Sequence, residues 1–215
     1  TTPNMNGFQA TLGLMQPWNA NDTLGALTDT TVSSASSGTS DEFGYQGQAS
    51  FSWTGDFAGK VWGGFFLQQV SNLAGDGGSE DAEAFEAGVS TSIYNIGLVG
   101  YAYTGEGVGT TILLGDAFDT NGNKRDSDGG YVQATYVIPT GTKLGVSYGI
   151  SNLDANTVDA NTTLVEENER YTIGAYHPLT KHLNLVAEYN NMESKAHNGN
   201  KRESDTISLG AILFF

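Results

Sequence analysis

Three histidines, His177, His182 and His197, are the side chains best suited to move protons near neutral pH in this 215-residue chain. A hydrolase would need one of them beside a nucleophile and held by a third group. His177 and His182 bracket a turn signal at Pro178 to Lys181, and His197 lies among Lys and Asn. None stands beside a convincing Ser or Asp arrangement, so no catalytic residue is assigned and the chain is not expected to be an enzyme. The absence of cysteine removes both a disulfide framework and a thiolate metal site, and it fits an oxidising envelope compartment. Asp119-x-Asn121-x-Asn123 opens like a calcium loop, but Lys124 replaces the required Gly and Gly130 the closing Glu. It reads as a polar surface loop. Gly105-Glu106-Gly107 lacks the strand–helix setting of a phosphate-binding glycine loop. No metal and no cofactor are expected.

What remains is charge. The net charge of −15, from 24 acids against 9 bases, disfavours nucleic acid, whose phosphates call for clustered Lys and Arg. Much of the acid falls in segments that read as loops: Asp76 to Glu83, Asp116 to Asp128 and Asp154 to Glu169. These read as solvated surface, and on a bacterial surface they are also suited to divalent cations beside lipopolysaccharide.

The elements that position these residues alternate with a period of two. Phe8, Ala10, Leu12 and Leu14 oppose Gln9, Thr11 and Gly13; Tyr45, Ala49, Phe51 and Trp53 oppose Gln46, Gln48, Ser50 and Ser52. Phe85, Ala87, Val89 and Ile93 oppose Glu86, Gly88, Ser90 and Ser92. The pattern returns in 131–136, 143–150, 171–175 and 183–189, whereas 58–70 is too apolar on both faces to phase. The run 96–103 is extended and Gly-rich. The last residues repeat the rule, with Ile207, Leu209, Ala211, Leu213 and Phe215 on one face.

No apolar run is long enough for a membrane helix. The mean hydropathy of −0.27 hides nothing unusual for a barrel, whose lipid-facing and lumen-facing residues average out. No basic stretch followed by an apolar run opens the chain, so any export signal is expected to be gone already or never to have been part of this sequence. Gly55 to Ala58, Tyr94-Asn95, Pro139 to Thr142 and Pro178 to Lys181 read as tight turns. Long polar stretches lie near 16–41, 71–82, 152–167 and 191–203. Strict alternation of short and long connections assigns 106–128 to one long external loop rather than a crossing at Thr110 to Leu114. About ten strands result.

The stretches GGYVQATYVIPTGTKLGVSYGISNLD (129–154) and ERYTIGAYHPLTKHLNLVAEYNNMESKAHN (169–198), with the closing DTISLGAILFF, resemble general porins of Gram-negative bacteria. TPNMNGFQATLGL (2–14) is similar to the porin strand entered through an "SPNFxGF" turn. The resemblance implies an all-β, transmembrane, antiparallel up-and-down β-barrel forming one domain over 1–215, the carboxyl-terminal part of a barrel of about sixteen strands. It places the family's constriction loop upstream of these strands. It further implies a multi-pass position in the bacterial outer membrane, a homotrimer, and contact with outer-membrane lipid and lipopolysaccharide. The C-terminal strand would engage the barrel-assembly machinery through Ile207, Leu209, Ala211, Leu213 and Phe215.

The function so implied is passive diffusion of small hydrophilic solutes and ions through a water-filled channel. Its pore-lining candidates are Gln46, Gln48, Glu86, Gln133, Lys143, Asn184 and Glu188, with Lys143 and Glu188 suited to a transverse field. Small residues on the inward phase, such as Gly145, Gly149 and Gly174, favour a wide lumen. The acid excess argues for a mild cation preference. Trp53, Trp62, Phe65 and Phe66 suit either a subunit interface or an aromatic girdle. A non-conducting structural or adhesive outer-membrane barrel is the alternative, and a small-barrel outer-membrane enzyme ranks behind it.

Overall fold

A computed structural model describes residues 1–20, 38–73, 78–158 and 162–215. Parts of the expected loops at 16–41, 71–82 and 152–167 therefore lie outside the described residues. Ten strands form one antiparallel sheet in sequence order, and among the described residues there is no helix. They are β1 (Phe8–Met15), β2 (Gly44–Trp53), β3 (Phe57–Val70), β4 (Glu80–Ile93) and β5 (Ile96–Glu106). β6 (Asp126–Val137), β7 (Lys143–Leu153), β8 (Val165–Pro178), β9 (Leu183–Ala196) and β10 (Lys201–Leu213) complete it.

The register decides the faces. Side chains at directly opposed positions of an antiparallel pair point the same way. Following the pairs Thr11↔Gln48↔Gly64↔Glu86↔Tyr103↔Gly129↔Ser151↔Asn168↔Ser194 traces one face across the sheet from β1 to β9. That face is polar, and we call it inner because the β5–β6 loop folds onto it. The outer face is apolar and exposed: Leu12 is 79% exposed, Phe85 54%, Val146 52% and Leu209 81%. An apolar face this extensive finds its solvent in hydrocarbon, the arrangement of a transmembrane barrel.

Four strands run for 14 residues. At roughly 3.3 Å per residue each spans about 46 Å, longer than the ~30 Å hydrocarbon core even when tilted. The surplus length stands at the end away from the tight turns. There the outer face carries Asp81, Glu83, Glu106, Asp126, Asp128, Glu167, Glu169, Glu193, Glu203 and Asp205. Acid that reads as loop in the sequence is therefore largely strand, projecting outward as a rim.

Two expected boundaries move. The stretch 191–203 is no long loop: β9 runs to Ala196, β10 starts at Lys201, and residues 197–200 make the turn. Gly199, at φ 82°, lets its N–H donate to the Ala196 carbonyl at 2.8 Å. Lys201 to Glu193, at 2.5 Å, and Lys195 to Glu166, at 2.9 Å, hold the flanking strand ends. The unphased segment is β3, and it is apolar on both faces for a reason. Trp62 lies on the inner face, flat over Gly88, where a Cβ would meet the indole at 2.1 Å. Phe66 is also inner, against the buried cluster of the β5–β6 loop. Trp53 and Phe65 face outward; only these two of the four aromatics occupy girdle or interface positions.

β1 and β10 do not pair with each other, so the ten strands form an open sheet. β10 is exposed along its whole length. The free edge of β1 is partly covered by the chain before it. Asn6 (φ 54°) and Gly7 (φ 99°) turn residues 1–5 back, and the Thr2 N–H donates to the Ala10 carbonyl at 2.7 Å.

Candidate functional site

The site is the inner face and the loop that covers it. Residues 107–125, expected to be external, instead fold onto the inner wall. Val108, Leu114, Ala117 and Phe118 are buried with Val70 and Ala82 from the ends of β3 and β4 and with Leu73 just beyond β3, and removing this apolar surface from water anchors the loop. Wall and loop also share hydroxyls. Tyr103 and Thr110 both meet Ser151, at 2.7 and 2.8 Å, and Asn168 donates to Thr111 at 3.3 Å.

Polar staples fix the loop's shape. Arg125 is fully buried, and its Nη1 donates to the carbonyls of Asp116 (2.7 Å) and Phe118 (2.8 Å). Asp119 is 1% exposed, while Asn121 and Asn123 are exposed, so the calcium-like motif is a surface turn pinned by one buried carboxylate. Its carboxylate accepts from the backbone N–H of Asn121 and Asn123 and from the side chains of Asn123 and Asn156. Burial pushes the Asp119 carboxyl up, but these donors outweigh it and hold the group below the usual carboxylate range. Lys124 is raised by its bond to Glu106, at 2.9 Å. Thr111, Leu114 and Asp116 all adopt positive φ, strain that persists only where surrounding contacts impose it.

Between loop residues 108–113 and the wall lies a cavity of about 650 Å³, bordered by Gln48, Glu86 and Tyr101. Gln48 and Tyr101 each donate to Glu86 at 2.9 Å, one to each oxygen. Ile112, 45% exposed, projects from the loop.

All seven pore-lining candidates fall on the inner face: Gln46 and Gln48 on β2, Glu86 on β4, Gln133 on β6, Lys143 on β7, Asn184 and Glu188 on β9. The structure brings together Gln48 with Glu86. Lys143 and Glu188 stand two strands apart with Tyr176 between them, opposite Lys143 in register and donating to Glu188 at 2.5 Å. Residues missed in the sequence include Tyr101, Tyr103, Ser151 and Arg170, whose guanidinium donates to Asn190 at 2.6 Å. Tyr103 falls in the Gly-rich run 96–103, whose phase became clear only through its neighbours.

The inner strand positions carry four bases, Lys60, Lys143, Arg170 and Arg202, and three acids, Glu80, Glu86 and Glu188. Ten other strand acids stand on the outer face. Of the histidines, His177 meets the Thr142 hydroxyl at 2.9 Å and His182 the Phe214 carbonyl at 3.1 Å, both at the tight-turn end. Neither set resembles a hydrolytic arrangement. No group of three metal-ligating side chains occurs among the described residues.

No protein-family pattern and no curated relative matches the sequence. Solved structures similar in fold include two outer-membrane proteins. The outer membrane channel DcaP of Acinetobacter baumannii superposes with a TM-score of 0.73 at 13% identity, covering 96% of this chain and 62% of its own. The anion-selective porin from Comamonas acidovorans gives 0.65 at 16% identity, covering 100% of this chain and 57% of its own. The chain therefore shares the β-barrel fold of these proteins while spanning less than two thirds of their length.

Proposed function

We propose that this chain forms part of the wall of a water-filled outer-membrane channel for passive diffusion of small hydrophilic solutes and ions. The observation that carries the reading is the opposition of faces: a continuous apolar exterior, and a polar interior partly covered by an anchored loop. In hydrocarbon every unpaired backbone group costs several kcal/mol, so a spanning sheet must close. We further propose that additional strands join β10 to the free edge of β1, as in a barrel of about sixteen strands. Loop 107–125 then narrows the lumen, and Ile112 and the Glu86 cluster border the narrowed part.

The similarity to porins also supports an outer-membrane position, a homotrimer and delivery by the barrel-assembly machinery through Ile207 to Phe215. The acidic rim stands at the height of lipopolysaccharide. Most strand acids behind an expected cation preference lie on the outer face, so we expect only weak selectivity, leaning toward anions. The anchored loop favours one competing reading, a barrel plugged by residues 107–125 and closed to ions.

Conductance in planar bilayers, with intact mass of the purified protein, tests both. Stepwise KCl conductance from a species with enough strands to close is the expected result. A correctly folded, membrane-inserted protein that passes no current would establish the plugged barrel.

A further inference from the structure

A second recess opens on the inner wall, at the tight-turn end of β6 to β9, away from the covering loop. Its volume is about 480 Å³. Its floor exists because two glycines meet: Gly145 and Gly174 are directly opposed across β7 and β8. A Cβ on Gly145 would meet nothing nearer than 3.6 Å, so the hollow is real space and not a disguised contact. Gly174 has a different reason. The Tyr176 ring lies over it, and a Cβ there would stand 2.8 Å from the phenol oxygen. That posture carries the Tyr176 hydroxyl to Glu188.

The rim is rich in donors. Lys143, Gln133, Ser147 and Asn184 all line the recess. None of the four has a side-chain hydrogen bond or ion pair within the described residues. No carboxylate lines the hollow. The nearest in register, Glu188, opposite Gly174, is held by Tyr176. An ammonium, two amides and a hydroxyl spread along one recess with no acid in its lining make a surface that binds negative oxygen atoms. Lys143 stands in register between Ser147 with Gln133 on one side and Asn184 on the other.

We infer that this recess is a wall site for small oxyanions, phosphate or short carboxylates, which pause there while crossing. The inference rests on the channel reading only in taking the inner face to border water. Its affinity is expected to be weak, on the order of millimolar, because a site on a diffusion path must release what it binds. Lys143 supplies the charge, Gln133 and Ser147, which are directly opposed across β6 and β7, add donors on one side of it, and Gly145 between them leaves the room.

The test uses the full chain in detergent micelles, titrated with inorganic phosphate and followed by phosphorus line width. Saturable broadening is expected. It weakens roughly tenfold in Lys143→Gln, which removes the charge-assisted bonds. It is lost in Gly145→Val, which fills the hollow and keeps the charge, while Lys60→Gln leaves it unchanged. Wild-type broadening in Lys143→Gln, or none in the parent protein, overturns the site. In planar bilayers phosphate should lower KCl conductance in the parent and not in Lys143→Gln. A protein that binds phosphate and passes no current sinks the channel reading and keeps the site. One that conducts and ignores phosphate does the reverse.

Discussion

Asp119 and Arg125 show how single side chains hold a loop against a wet wall. Asp119 gathers four donors, and its depressed carboxyl sets the direction of its pH dependence. A group whose folded pKa lies below its unfolded value stabilises above the ordinary carboxylate range, and that stability is lost as pH falls through the depressed value. Protease sensitivity within 107–125 should therefore stay flat from neutral pH down to about 4 and rise below it. In Asp119→Asn the loop should be more sensitive at pH 7 and nearly indifferent to pH over the same interval. Arg125→Met strands two buried carbonyls and should cost about 2–4 kcal/mol of loop anchoring. Limited proteolysis would detect the release, and single-channel conductance should increase if the freed loop leaves the lumen. Neither role was legible in the sequence. Asp119 invited a calcium comparison because its neighbours are the right types, while its true donors include Asn156, 37 residues away.

At the level of strands, alternation in the sequence sufficed wherever one face meets lipid and the other water. That contrast exists on β1, β2, β4 and β7, and their phases were readable. It fails on β3, where the loop's buried cluster makes the inner face apolar as well, so Trp62 and Phe66 looked like exterior residues. Length misled at 191–203: polar side chains there belong to strands that rise above hydrocarbon, and Asn198-Gly199 is the local turn signal. The fold of residues 107–125 was not readable at all, because it depends on Val70, Leu73 and Ala82 from other elements. Adjacent residues offer a direct check of the faces. Val89→Arg, on the exterior of β4, should cost roughly 2–4 kcal/mol near mid-membrane, whereas Ser90→Arg should cost little. Urea titration of folding into lipid vesicles separates the two, and equal penalties would contradict the assigned register.

Across the whole molecule, the sheet sorts charge by direction. Acid projects outward at one height, and bases hold a narrow majority inside. Neutralising Glu203 and Asp205 on the rim should leave reversal potentials in a KCl gradient unchanged. Replacing Lys60, Lys143 and Arg170 together with Gln should shift them toward potassium. The opposite ranking would mean that the exterior charge reaches the permeation path. The two unpaired flanks, β1 and β10, have a practical consequence. β10 offers a row of unused amide and carbonyl groups and β1 a partly covered one, and antiparallel ribbons of different copies can zip along such rows. Preparations in which nothing seals the ring should grow into stacked aggregates that bind amyloid dyes. The effect should depend on concentration, and a Pro placed within β10, as in Ser208→Pro, should suppress it.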